Sequence, residues 1–245
     1  MDSFATTITR VAPRHWQALD SDREAGRTEA SPRPDGRLFL SIDSWHAEVF
    51  DRLAATVLAD LPVPLYTVVD EADHDLISSW KRAGFTISRR DWDYHLPTDP
   101  AVTGLDPTTP PTGVVILDHG AAEADPLAEL DRALRAESGT ALPVEVLCPP
   151  LDPSTHVVAA HPAGYVGLCR VQRIRVPRIG LVAVRAGARR RGIARALLAQ
   201  ALGALHGSGI EFAYVEVSEA NTAATALFRG LGARPLSSCV EMVRR

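Results

Sequence analysis

The chain has 245 residues, of which 46 % are hydrophobic and 23 % charged, as expected for a soluble globular protein that can bury a real core. Its formal net charge of −4 argues against a general nucleic-acid binder. Three widely separated cysteines, Cys148, Cys169 and Cys239, lack metal-ligand spacing, so neither a disulfide framework nor a zinc site is expected.

The opening residues lack the charged-then-apolar layout of a secretion signal, and no apolar run reaches membrane-spanning length, so the expected location is cytoplasmic. In the N-terminal part, RLFLSID reads as a strand, residues 44–58 as a helix and LYTVVD as a strand. A helix over Asp73–Ala83 follows, ended by Gly84, and then FTISRRDWDYHL as a strand. The segment 98–113, rich in Pro, Thr, Asp and Gly, has no apolar periodicity and reads as a linker. It divides a domain at 1–97 from one at 114–245.

In the second part, Val114–Leu117 is a short strand and Asp125–Glu137 a helix with Leu127, Leu130 and Leu134 on one face. His156–Ala160 and Tyr165–Ile174 make a hairpin around HPAG, and Arg178–Arg185 is a further strand. A helix runs from Ile193 to His206, ended by Gly207 and Gly209. FAYVEV is a strand, Asn221–Leu231 a short helix stopped by Gly232, and SSCVEMVRR a last strand. Interleaved strands and helices give an α/β or α+β class around a mostly antiparallel sheet.

The two parts echo each other. Laying Gly84 on Gly232, an offset of 148, brings Tyr66 onto Tyr214, Val69 onto Val217, Glu71 onto Glu219, Asp73 onto Asn221 and Trp80 onto Phe228. The order of elements agrees as well, which supports an internal repeat.

One stretch, ARRRGIARALL, is out of place electrostatically. A helix start is the positive end of the helix dipole, yet Arg189, Arg190 and Arg191 run straight into one. An anion there resolves the conflict. The free N–H groups of a helix start point at it, Gly192 lets the backbone approach, Ala194 is small, and the guanidinium groups add charge-assisted bonds. Neither G-x-x-x-x-G-K-[ST] nor a strand followed by G-x-G-x-x-G is present.

LVAVRAGARRRGIARALL resembles motif A of the GNAT family of acyl-coenzyme A-dependent N-acetyltransferases: an apolar strand ending in Val, a loop, then R/Q-x-x-G-x-G/A opening a helix, here Arg189, Gly192 and Ala194. VEVSEANTAATALFRGLGARP is similar to the family's next block. The resemblance covers 114–245. The N-terminal part resembles the back half of the same fold, with a first strand and helix at Thr7–Leu19. The resemblance implies a mixed, mostly antiparallel sheet flanked by helices, in a tandem arrangement whose first copy is partial and degenerate.

It also implies acetyl-CoA as cosubstrate, with no metal. Residues Arg189, Arg190, Arg191, Gly192, Ile193, Ala194 and Arg195 would cradle the coenzyme A pyrophosphate. The edge Leu181, Val182, Ala183 and Val184 would pair with the pantetheine amides, and Asn221, Ala224 and Phe228 would line the arm. The implied activity is acyl transfer to a primary amine of a small molecule or protein by direct attack. A catalytically weak acyl-CoA-binding sensor is the alternative. Many relatives protonate the departing thiolate with a Tyr where this chain has Phe228, so Ser218 is the substitute candidate and Glu216 the candidate base. The bland reading of Glu216 is a charge on a solvated face, or a partner for Arg173 or Arg175. The offset of 148 sets Ser44 against Gly192 and His46 against Ala194, with Asp43 and Glu48 nearby, so no cofactor site is expected in the first copy. The expected partners are an amine acceptor but neither nucleic acid nor membrane, with the chain a monomer built as a pseudo-dimer, or a homodimer.

Overall fold

The computed structural model describes residues 6–33, 35–106, 110–138, 151–173 and 175–245; Cys148 and the end of the expected strand at Ile174 fall outside them. The chain divides into two compact units, Met1–Asp91 with Ser237–Arg245, and Trp92–Leu236. The last strand, assigned from sequence to the second half, thus packs for most of its length with the first.

Unit 1 holds β1 (Thr7–Ala12), β2 (His15–Asp20), β3 (Arg23–Pro32), β4 (Leu38–Ser44), α1 (Ala47–Asp60), β5 (Leu65–Asp70) and α2 (His74–Arg82). It also takes the first half of β6 (Thr86–Pro97) and most of β12 (Arg234–Arg244). Its strands run in the order β1-β2-β3-β4-β5-β12. The β4–β5 pair is parallel and the others are antiparallel. Thr7–Leu19, expected as strand and helix, is instead a hairpin with Thr7 opposite Leu19. Pro13 lies in the turn, and Trp16 and Ala18 alternate inward on a period of two, which a helix would not tolerate. Val49, Phe50, Leu53, Ala54 and Val57 form the buried face of α1. They pack with Trp16, Leu40, Trp80 and Phe85 in the core of this unit.

Unit 2 contains the second half of β6, a short helix α3 (Pro100–Thr103), β7 (Val115–Leu117), α4 (Ala124–Ser138), β8 (His156–His161), β9 (Gly164–Gln172) and β10 (Arg178–Val184). It continues with α5 (Ile193–Gly207), β11 (Phe212–Ser218) and α6 (Thr222–Gly230). The order is β6-β11-β10-β9-β8-β7. The β10–β11 pair is parallel, and the pairs from β10 to β7 are antiparallel. One sheet face carries α5, with Ile193, Leu197, Leu198, Leu202 and Leu205 buried against Val157, Cys169, Val171 and Val215. The other carries α4, with Leu127, Leu130 and Leu134 on Val158 and Leu168. The expected linker is packed where described. Thr98 is buried and donates its backbone N–H to Glu211 O, and Leu105 joins the α5-side core.

The repeat is visible in detail. At the offset of 148, α2 falls on α6 residue for residue. Asp73 accepts from Leu76 N–H at 2.9 Å as Asn221 accepts from Ala224 N–H at 3.0 Å. Gly84 at φ 89° matches Gly232 at φ 83°, the left-handed conformation that ends both helices. The chain is a tandem of one mixed, mostly antiparallel fold.

Candidate functional site

The site of unit 2 is built at the carboxyl ends of β10 and β11, adjacent parallel strands that each lead into a helix start. Their ladder holds only Arg178 opposite Tyr214 and Ile179 opposite Val215; no further pair forms among the described residues. Beyond that point β10 keeps only its antiparallel partner β9, through Leu181–Val184 opposite Arg170–Gly167. An irregularity between Ile179 and Leu181 reverses the alternation of side chains. Ile179, Val182 and Val184 face the α5 core, whereas Leu181 and Ala183 face α4. A Cβ at Gly180 would stand 3.0 Å from the Arg170 guanidinium, which would have to shift to admit it.

From Val184 the chain passes through a 3-10 turn, Ala186–Ala188, into the arginine loop. Arg190 takes φ 64°, unusual for a residue with a Cβ, and Gly192 takes φ 81° as the N-cap of α5. No side chain caps α5. The first helical bond runs from Ala196 N–H to Gly192 O, which leaves the amides of Ile193, Ala194 and Arg195 without a partner inside the helix. Among the described residues a Cβ on Gly192 would find only Pro111 Cγ, at 3.8 Å. Uncapped amides, a positive dipole end and guanidinium groups form a donor set suited to a diphosphate. Ile193 is buried and anchors the helix start, while Arg189, Arg190 and Arg191 are exposed.

Two arginines are already engaged. Arg189 Nε donates to Val184 O at 3.0 Å, and Arg191 Nη2 to Thr112 O at 3.4 Å. Sequence reasoning missed Glu137, at the end of α4. It accepts from Arg185 Nε at 2.6 Å and from Ala186 N–H at 2.7 Å, and lies 3.8 Å from Arg189 Nη2. Arg185 first, then the Ala186 amide, hold its carboxyl below the usual Glu range. No spacing rule pairs residues this far apart in the chain.

Residues 127–233 match the sequence profile of the Acetyltransferase (GNAT) family. This segment is a GNAT domain. Among solved structures, a GCN5-related N-acetyltransferase from Sphaerobacter thermophilus superposes with a TM-score of 0.72 at 17 % identity, covering 96 % of this chain and 82 % of that one. A tandem GNAT protein from the clavulanic acid biosynthesis pathway gives 0.67 at 16 %, covering 98 % and 83 %. A GCN5-related N-acetyltransferase from Kribbella flavida gives 0.61 at 16 %, covering 97 % and 89 %. At these identities the likeness establishes the fold. No curated protein sequence matches the chain.

Within the GNAT domain, Asn221 opens α6, with its side-chain oxygen committed to Ala224 N–H. Its amide NH2 points a donor at no described acceptor. Ala224 is half-buried, and Phe228 is 4 % exposed, packed in the α5-side core. Along β11, Tyr214, Glu216 and Ser218 share one face. Glu216 pairs with Arg178, the residue beside Tyr214 in the ladder, and not with Arg173 or Arg175. His95 of β6 stands by the same face, its ring centroid 4.7 Å from that of Tyr214 and tilted by 52°. Among the described residues no group of His, Cys, Asp or Glu could hold a metal ion, and no helix is long and apolar enough to cross a membrane.

The first copy joins β1 to β2 by a tight turn where unit 2 has α4 between β7 and β8, and it also departs at the anion turn. In unit 1 only Trp45 and His46 separate β4 from α1, where Arg185–Gly192 separate β10 from α5. The helix starts therefore align as His46 with Gly192, two residues away from the sequence-read offset. The copy keeps a cleft of about 790 Å³ there, lined by Glu24, Asp43, Asp73 and Asp75 against Arg27 and Arg82.

Proposed function

We propose that the chain is an N-acetyltransferase that moves the acetyl group of acetyl-CoA to a primary amine of a small molecule or protein. The observation that carries this reading is the uncapped start of α5, opened by left-handed Gly192 behind an arginine loop, where β10 parts from β11. Arg189 to Arg195 would hold the diphosphate, the free edge of Leu181–Val184 the pantetheine arm, and Asn221, Ala224 and Phe228 its flank. When bound, the thioester supplies the activated acetyl group.

The protein's contribution is chiefly to hold amine and thioester together, worth up to about 7–11 kcal/mol of a barrier in favourable cases. Glu216, clamped by Arg178, serves best by attracting and orienting the ammonium; its proton then leaves to Glu216 or through water. Ser218, on the same strand face, would deliver the proton to the thiolate sulfur. Isothermal titration with CoA tests the first half of the reading. Thiol release from acetyl-CoA with a panel of amines tests the second, and absence of CoA binding refutes both.

A second reading, an acyl-CoA-binding module with little catalysis, draws on Phe228, which carries no proton where a donor is expected, and on the Arg178–Glu216 pair. Micromolar CoA binding with no amine-dependent thiol release would select it.

A further inference from the structure

We propose that Glu137 is an internal anion of the cofactor loop, whose carboxylate competes with the diphosphate and sets how tightly the loop holds its ligand. The inference rests on the cofactor reading above. Three donors of the loop converge on this one side chain: Arg185 Nε, the Ala186 amide and, further off, Arg189 Nη2. All three lie on the chain between the end of β10 and the start of α5, the run that supplies the anion site.

Arg189, though exposed, leans toward the same carboxylate. Its Nε caps Val184 O, the carbonyl at the end of the edge proposed for the pantetheine arm. With Nε on Val184 O and Nη2 drawn toward Glu137, Arg189 has fewer donors to offer a phosphate. For Arg189 to turn outward, the loop must give up the Val184 bond and leave Glu137 with less compensation. A diphosphate arriving at these donors also meets a fixed negative charge, which like-charge repulsion disfavours. Glu137 is thus a built-in cost of ligand binding. It belongs to α4, the helix on the sheet face opposite α5, so the position of α4 is linked to the affinity of the loop.

The sign of the effect separates this role from a merely structural one. If Glu137 only braces the loop, its removal loosens the site and weakens binding. If it competes, neutralising it frees the donors and strengthens binding. The experiment is titration calorimetry of CoA, and separately of inorganic pyrophosphate, on the wild-type chain and on Glu137→Gln, Glu137→Ala and Glu137→Asp. Gln and Ala are expected to bind both ligands about tenfold more tightly, the scale of one charge-assisted bond set against its competitor. Asp, which restores the charge, returns affinity toward wild type. Thermal unfolding without ligand should show a lower midpoint for Gln, and saturating CoA should raise that midpoint more than it raises the wild type's. Wild-type protein that binds CoA while Gln and Ala bind equally or less tightly overturns the competition alone. Failure of every form to bind CoA overturns the cofactor reading and the competition with it.

Discussion

Gly192 allows the backbone and ligand roles of one residue to be measured apart. It sits at φ 81°, and among the described residues an added Cβ would meet nothing nearer than Pro111 Cγ at 3.8 Å, so the expected loss of stability is conformational. For an ordinary L-residue the left-handed region costs about 1–2 kcal/mol, while Asn tolerates it far better. A change of 1 kcal/mol moves the midpoint by about 2–4 °C for a chain of this size. Gly192→Ala and Gly192→Val should therefore unfold about 2–8 °C lower, and Gly192→Asn close to wild type. All three place a side chain beside the amides of Ile193 and Ala194 that a diphosphate would need. All three should lose at least tenfold in CoA affinity, the scale of one charge-assisted hydrogen bond. Differential scanning calorimetry and CoA titration give the two readouts. Gly192→Asn with wild-type affinity would refute the requirement for close backbone approach. Gly192→Val as stable as Gly192→Asn would refute the conformational argument.

Asn221→Ala should cost about 1 kcal/mol through loss of the α6 cap. Asn221→Asp should keep that stability yet weaken CoA binding, because it exchanges an amide donor for a charge; equal binding by Asp would remove Asn221 from the site. Phe228→Tyr should raise amine-dependent thiol release by about 100-fold, the lower range of general-acid help, if the missing proton donor limits turnover. Unchanged release would mean that Ser218 or water already supplies the proton. His156 is 2 % exposed. Burial first, and then the Arg170 charge, push its pKa below the ordinary 6.5, against a raising bond to Asp152 O. Below that value the unfolded chain takes up a proton that the native imidazole resists, so stability present above about pH 6.5 is lost as the pH falls. Denaturant melts should show this loss between pH 7 and 5.5, and His156→Gln should flatten it; an unaltered slope would refute the assignment.

What the sequence made legible was periodicity and punctuation. Nearly every helix with a broad apolar face, and each glycine stop, lies within a few residues of its expected place, because α5 and α6 are written in local signals. β3 escaped because its inward positions, Gly26, Thr28 and Ala30, are small or polar, and its outward ones are charged. Nothing in REAGRTEASP looks like a strand until α1 is seen to press against it. Thr7–Leu19 misled for the opposite reason, since its few apolar residues fit either period. In the site, the anion loop could be read from Arg189, Gly192 and Ala194 because one turn of chain carries the whole device. The Arg178–Glu216 pair depends on parallel register, and the Glu137 contact on how α4 meets the end of β10. Both are tertiary facts without a local signature.

The two copies provide their own control for which part of the fold carries the chemistry. Each has a parallel strand pair, a helix after each strand, an Asx cap on the second helix and a left-handed glycine after it. These shared parts fold the unit and cannot by themselves define an anion site. The difference that bears on the anion site lies in the turn between the first strand of the parallel pair and its helix. Two residues close that turn in unit 1, too few to wrap a diphosphate, and Asp43 stands at its edge. Asp73→Ala should thus cost unit 1 about 1 kcal/mol, as Asn221→Ala costs unit 2, because both remove the same cap. Only the second should alter CoA affinity. If Asp73→Ala weakened CoA binding as strongly, the cofactor would be drawing on the copy that lacks the loop, and the arginine turn would lose its place as the origin of function.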